Sequence, residues 1–324
     1  MNNQVTIQEK VNLVNYLSMR IGGIAAKAIF IESVEQLKEV LPTLLSQKEK
    51  FYVIGGGTNT LHIEENYEGT ILFIRIPGRT KMDSQGLFEF GAGEILDDII
   101  PFSLEEGYAG LESLSKIPGT IGAAPVQNAG AYGSEIGDVL EYVKVVQIST
   151  NKELILKKED LELSYRKSIF NSNKRGEFII TAVGLRLHQA TPPELEQALL
   201  RRQEVTQKRS ERVKDPKEEP NCGSFFKNPM VSQDFFNHLK EQDPDLRGYD
   251  YDGQVKLSAG QLISKVTKAD EIITGICVPK MNALILVNVS AKSYLDLLQA
   301  QQEIQRRVKE RFHVDLVREV NTFE

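Results

Sequence analysis

Two glycine-rich segments hold the residue types best suited to chemistry done through bare backbone. The first, Ile54-Gly-Gly-Gly-Thr-Asn-Thr-Leu61, directly follows the apolar run Phe51–Ile54. Consecutive glycines let neighbouring N–H groups converge on an anion because no Cβ blocks the approach, and Thr58 and Asn59 add hydroxyl and amide donors. No Gly-Lys-Ser/Thr follows and the spacing is not GxGxxG, so neither the Walker nor the Rossmann phosphate motif is present. Taken alone, the segment reads equally well as a glycine-rich hairpin. The second, Ile117-Pro-Gly-Thr-Ile-Gly-Ala-Ala-Pro-Val-Gln-Asn-Ala-Gly-Ala-Tyr-Gly133, mixes small residues with Pro, Gln and Asn and has no charge. A flexible linker is more hydrophilic and less proline-fixed. The segment suits a tightly held backbone lying against a flat or extended ligand, and its alternative is a buried glycine-rich turn. Of 24 glycines, 15 lie between Gly55 and Gly137. Each costs backbone entropy on folding, so the clustering marks a stretch that needs its backbone uncovered.

Other chemistries are disfavoured by what the 324 residues lack. Cys222 and Cys277 are too few and too separated for a zinc motif or a disulfide framework, and point to a reducing cytoplasm. The four His (His62, His188, His238, His313) show no HExxH or paired spacing, so no metal is expected. A net charge of −6 argues against general binding to nucleic acid. The N-terminus lacks an apolar signal core, and no run approaches the roughly 20 apolar residues of a membrane span.

The elements that must position these segments follow from periodicity and caps. Ser33-Val-Glu-Gln36 is a capping box opening a short amphipathic helix, which Pro42 is expected to interrupt. Phe51–Ile54 and Thr70–Ile76 read as strands, Ile95–Glu106 as helix, and Val139–Ser149, Glu153–Leu156 and Glu177–Leu187 as further strands. Thr191-Pro-Pro-Glu194 opens a helix with an N-cap, Pro at its first position and Glu at N3, with Leu195, Leu199 and Leu200 lining one face. The basic stretch Gln207–Pro216 is a crossing to another unit. Beyond it come a helix near Leu257–Lys265, the strand Ala283–Val289, and a long helix capped by Ser293. His313–Val320 is expected to extend as a final strand.

Read together, the two glycine segments resemble the FAD-binding part of the vanillyl-alcohol-oxidase-like proteins. Along nearly the whole chain the match is closer still. Ser18-Met-Arg-Ile-Gly-Gly23, the GGGTN loop, Gly91-Ala-Gly-Glu94, Gly110-Leu-Glu112, the 117–133 segment, Ser164-Tyr-Arg-Lys-Ser-Ile-Phe170, Asn221-Cys-Gly-Ser-Phe-Phe-Lys-Asn-Pro229 and Arg318-Glu-Val320 stand in an order similar to that of the UDP-N-acetylenolpyruvoylglucosamine reductase family. The resemblance implies an α+β protein: a two-part FAD-binding domain of the vanillyl-alcohol-oxidase type plus an α/β substrate-binding domain. The expected division is 1–76, then 77–207 joined by a C-terminal strand 312–324, then 208–311.

It also implies a cytoplasmic, monomeric oxidoreductase of peptidoglycan precursor synthesis. Non-covalent FAD would pass electrons from NADPH to a UDP-sugar enolpyruvate, with neither nucleic acid nor membrane as partner. The flavin would rest on Gly55, Gly56, Gly57, Thr58, Asn59 and Thr60, and on Ile117, Pro118, Gly119, Thr120, Gly122, Ala123, Asn128, Gly130 and Ala131. Arg166 has the fork to hold a carboxylate, Glu319 would stabilise the enolate, and Ser224 would donate the proton. Tyr132, Arg212, Asn228, Lys256 and Asn282 would contact substrate, among a basic run Lys208, Arg209, Arg212, Lys214, Lys217 otherwise read as a solvated helix face. Arg212 stands where the family has Lys, Asn282 where Gln is frequent, and Pro279 where His is common. The chain also lacks the insertion, with its closing Tyr, that one branch of the family carries after Leu187. Its rivals are a sugar or alcohol oxidase of the same fold, and a non-catalytic nucleotide-sugar or flavin binder.

Overall fold

The computed structural model describes residues 4–323, which divide by their contacts into two units. The first contains the described residues up to Val11, Ile24–Gly57 and Tyr67–Glu211; the second contains Asn12–Gly23, Thr58–Asn66 and the described residues from Arg212 onward. On either side of residue 76, Ile74 and Ile76 share one core with Phe88, Phe90 and Val143. The other crossing lies between Glu211 and Arg212, at the end of the Pro192–Arg212 helix.

In the first unit, a four-stranded sheet runs in the order Thr6–Asn12, Ile24–Ile31, Asn66–Ile74, Phe51–Ile54. The last two strands pair in parallel, Ile54 opposite Phe73, so that the glycine loop leaves the sheet at a fixed edge. A five-stranded sheet of Lys152–Lys157, Leu140–Gln147, Phe178–Arg186, Leu87–Gly91 and Arg79–Lys81 is antiparallel throughout. These are the β-branched and aromatic runs that pack well on a pleated surface.

The Val34–Ser46 helix is capped by Ser33, whose hydroxyl accepts from the Gln36 N–H. Pro42 lies inside this helix rather than ending it. Proline removes the donor that would satisfy the carbonyl four residues back. That carbonyl, on Lys38, accepts instead from Asn151 Nδ2 at 2.9 Å. The Pro192–Arg212 helix also departs from expectation. Leu199 and Leu200 are exposed, and the helix buries Ala198 and Val205.

The second unit has its own core, from Met19, Ile21 and Leu61 to Phe225, Phe226 and Val308. Its sheets are Asn221–Ser224, Ile285–Asn288, Ile276–Val278, Glu271–Ile273, and the smaller Met230–Val231, Gln254–Leu257, Gly248–Tyr251. The Tyr294–Phe312 helix, capped by Ser293, buries Leu297, Ile304, Val308 and Phe312 at helical spacing. The final strand is not His313–Val320. That segment is held by a single bridge, Phe226 to Arg318, and the strand proper is Asn321–Phe323, paired in parallel with Thr60–His62. Val314, Leu316 and Val320 are buried, so the alternation that suggested a strand is real, but almost no neighbouring backbone is in register with it.

Candidate active site

In the first unit the two glycine clusters meet. A Cβ on Gly56 would stand 2.9 Å from Gly119 Cα, and one on Gly55 would stand 2.5 Å from Thr120 Oγ1. Only glycine permits this approach, and Gly57 and Gly119 also take left-handed conformations, with φ of 65° and 113°. The second cluster is pinned from its other side: Leu96 N–H donates to Gly119 O, Ile121 N–H to Glu94 O, and Gly122 N–H to Ala92 O. Thr120 is buried and its Oγ1 has no hydrogen-bond partner. A buried hydroxyl without a partner calls for one, and here it lies beside two stretches of bare backbone.

Asn128 ties neighbouring segments of the first unit together. It is 2% exposed; its Nδ2 donates to Glu135 Oε2 and Ser164 O, and its Oδ1 accepts from Gly137 N–H. These bonds tie the Gly130–Glu135 hairpin to the Ser164–Lys167 turn. Tyr165 and Arg166 occupy the two central positions of that turn, whose ends exchange hydrogen bonds of 3.1 and 3.0 Å. Arg166 is left-handed, φ 55°, an outlier for a residue with a Cβ that costs about 1 kcal/mol or more. Its Nη2 donates to Gly130 O at 3.1 Å and its guanidinium lies over the Tyr165 ring. Tyr132, at the tip of the hairpin, is exposed and also left-handed.

In the second unit, Ser224 ends a strand that bulges against Ile285. Gly223 makes the bulge with φ 68°, its N–H donating to Asn221 Oδ1. Phe225 and Phe226, both buried and edge-to-face at 5.1 Å, anchor the chain immediately after Ser224. Alongside runs the segment bearing Glu319. Glu319 N–H donates to Phe225 O at 2.9 Å, and Lys227 N–H to Val317 O at 2.8 Å. Ser224 and Glu319, remote in sequence, thus lie on adjoining backbones. Arg318 secures the same segment, donating to Tyr294 Oη, Gln301 Oε1 and Thr322 Oγ1.

Asn228 Oδ1 accepts from Ala259 N–H at the start of the Ala259–Ser264 helix. Lys256 pairs across the small sheet with Met230 and Tyr249, its Nζ over the Tyr251 ring. Asn282 closes a turn: its N–H donates to Pro279 O, and its carbonyl accepts from Ile285 N–H. Arg212 is exposed at a helix end. Thr58, Asn59 and Thr60 belong to this unit; the Asn59 carbonyl accepts from Asn321 N–H, and Thr60 pairs with Asn321. Among the described residues no group of His, Cys, Asp and Glu is placed to hold a metal ion, and no helix is long and apolar enough to cross a membrane.

Residues 215–323 match the family model of the UDP-N-acetylenolpyruvoylglucosamine reductase C-terminal domain, and residues 25–153 match that of an FAD binding domain. The UDP-N-acetylenolpyruvoylglucosamine reductase of Pasteurella multocida (strain Pm70) is 34% identical over 311 residues, 91% of either chain. That of Escherichia coli O6:H1 is 35% identical over the same span and coverage. The chain belongs to this reductase family. The crystal structure of the Thermus caldophilus reductase superposes with a TM-score of 0.71 at 27% identity, covering 99% of both chains.

For a member of the reductase family, the first-unit cradle fits FAD on its own terms. Bare amides at Gly55–Gly57 and the unpartnered Thr120 hydroxyl suit an anionic, extended group. One residue of the basic run is set apart from the others. Arg209 lay inside the basic run, but its helical face separates it from its neighbours: it falls four residues after buried Val205, whereas Lys208 is exposed and paired with Glu204. Arg209 Nε is shut from solvent with no hydrogen-bond partner. The signal was available in the spacing Ala198, Arg202, Val205, Arg209, one stripe of the helix.

Proposed function

We propose that the protein reduces the enolpyruvyl double bond of UDP-N-acetylglucosamine enolpyruvate to give UDP-N-acetylmuramate, in the cytoplasm, as a monomer. FAD held there would supply the hydride-transfer chemistry that links NADPH to the enolpyruvyl double bond. The chain's own residues manage everything else. Gly55, Gly56, Gly57, Thr58, Asn59, Thr60 and the 117–131 backbone hold the cofactor. Arg166 grips the substrate carboxylate through two parallel hydrogen bonds, where its planar fork matches two oxygens. Negative charge then develops on the carbon bearing that carboxylate, and Arg166 and Glu319 stabilise the enolate. Ser224 delivers the proton that completes the reduction, its hydroxyl polarised by neighbours because serine alone is a weak acid. Tyr132, Arg212, Asn228, Lys256 and Asn282 orient the nucleotide sugar.

The observation that supports this reading is the backbone pairing of Phe225–Lys227 with Val317–Glu319, which brings the segment bearing Glu319 alongside the residues that directly follow Ser224. The test is spectroscopic. Purified protein is expected to show flavin absorbance that NADPH bleaches and the enolpyruvyl nucleotide restores. Absence of flavin, or bleaching that oxygen reverses but the nucleotide does not, would overturn it.

A further inference from the structure

The strand that ends at Ser224 carries one residue more than its partner can match. Asn221 pairs with Val287 and Ser224 with Ile285, so three steps along one strand answer two along the other. That extra residue sets which side of the sheet Ser224 occupies. Side chains alternate along a strand, and residues directly opposite one another share a face. In an unbulged ladder Gly223 would stand opposite Ile285, and Ser224 would fall on the face of Cys222, which is packed into the apolar core with Leu286. The bulge re-aims Ser224 to the Ile285 side, away from that core.

Several groups hold the bulge. Gly223 supplies the left-handed φ of 68° and donates its N–H to Asn221 Oδ1 at 2.9 Å. Asn221 Nδ2 donates to Glu219 O at 2.7 Å and to Lys214 O at 3.2 Å, and the residue is 1% exposed. Its carbonyl accepts from Ser18 Oγ at 2.6 Å, a residue 203 positions earlier in the chain. The Ser18 segment is itself fastened, with Asn288 Nδ2 donating to Met19 O at 3.0 Å and Arg20 Nη2 to Lys217 O at 2.5 Å. The Ser18–Gly23 motif thus reaches the site through the main chain of Asn221.

We infer, on the reading given under Proposed function, that Asn221 is a positioning residue for Ser224: its amide locks the bulge that turns the hydroxyl out of the core, and Ser18 holds Asn221 in place. With its polar atoms engaged and almost no surface exposed, Asn221 acts through Ser224 and not on the substrate. A proton donor works only within hydrogen-bond reach, and a misplacement on the order of 1 Å can cost about 100-fold. Loss of the lock therefore strikes the proton step and spares both flavin reduction and nucleotide binding.

Asn221→Ala, Ser18→Ala and Ser18→Thr, purified with flavin, are compared by stopped flow. In Asn221→Ala, reoxidation of NADPH-bleached flavin by the enolpyruvyl nucleotide is expected to slow about 10- to 100-fold, with bleaching by NADPH and the Kd of the nucleotide unchanged. Ser18→Ala should show a smaller loss of the same kind, restored in Ser18→Thr, which keeps the hydroxyl. The sharpest readout is a double variant. An effect exerted through Ser224 disappears once that hydroxyl is gone, so adding Asn221→Ala to Ser224→Ala should slow reoxidation no further. Losses that multiply in the double variant, equal slowing of both half-reactions, or folded variants at wild-type rates overturn the inference alone. Flavin that the nucleotide fails to reoxidise in wild type, or reoxidises normally in Ser224→Ala, removes the underlying reading instead. Should Asn221→Ala fail to fold, Gly223→Ala probes the same bulge: its Cβ meets nothing within 4 Å, so only the left-handed φ is strained, and the same double-variant comparison applies.

Discussion

The glycine cradle of the first unit and the Ser224–Glu319 ladder of the second use the chain in opposite ways. In the cradle the side chains are missing or committed: Gly55 and Gly56 make room, while Asn128 spends every polar atom on Glu135, Ser164 and Gly137. In the ladder the backbone is committed, through Glu319 N–H to Phe225 O and Lys227 N–H to Val317 O. Those bonds are made by main-chain atoms and not by the side chains of Ser224 and Glu319. The difference teaches that the proposed cofactor holding and the proposed proton delivery should respond to different kinds of substitution. Adding atoms should damage the first, and removing them the second.

The largest expected effect tests the ladder. Ser224→Ala should slow flavin reoxidation by the enolpyruvyl nucleotide by about 10²- to 10⁴-fold while leaving bleaching by NADPH unchanged in stopped-flow traces. Equal slowing of both half-reactions would remove serine from the donor role. The matching experiment on the cradle adds bulk: Gly56→Val places a Cβ against Gly119 Cα and should weaken FAD retention roughly 10- to 100-fold, read as flavin lost on gel filtration. Full retention would mean that the two glycine segments can separate at little cost.

A third prediction concerns pH and the second unit alone. Burial pushes the Cys222 thiol up from 9.0 to about 11. The folded unit therefore keeps a proton that the unfolded chain releases, so this contribution is complete below about pH 8.5–9 and is lost as pH rises toward 11. Stability should fall by roughly 2–3 kcal/mol across that window, and Cys222→Ala should flatten the fall in denaturant titrations. The smallest effect separates real from apparent burial: Leu200→Ser, at a residue 58% exposed, should change stability by less than about 0.5 kcal/mol in the same titration.

What could be read in advance was what depends on neighbours in sequence. The capping box at Ser33, the cap at Ser293 and the apolar stripe of the Tyr294–Phe312 helix are local matters of spacing. The glycine clusters were legible because glycine signals a requirement for bare backbone without saying what meets it. Pro42 was misjudged because its remedy, Asn151, lies in another part of the fold. Leu199 and Leu200 looked like a core face by hydrophobicity, yet the fold turns inward a stripe of Ala198, Arg202, Val205 and Arg209. Arg209 was hidden for the same reason: within a run of cations, only the direction in which each side chain points distinguishes them.

The parallel pairing of Thr60–His62 with Asn321–Phe323 has a consequence for how the molecule comes into being. The strands are separated by most of the chain, and contacts of such long range form late. During synthesis at about 5–20 residues per second, the early strand waits tens of seconds for its partner, with Leu61 and the nearby core residues Met19 and Ile21 uncovered. The Glu319 segment arrives in that same final stretch. A nascent chain stalled before residue 317 would therefore lack the segment that bears Glu319 and pairs with Phe225 and Lys227.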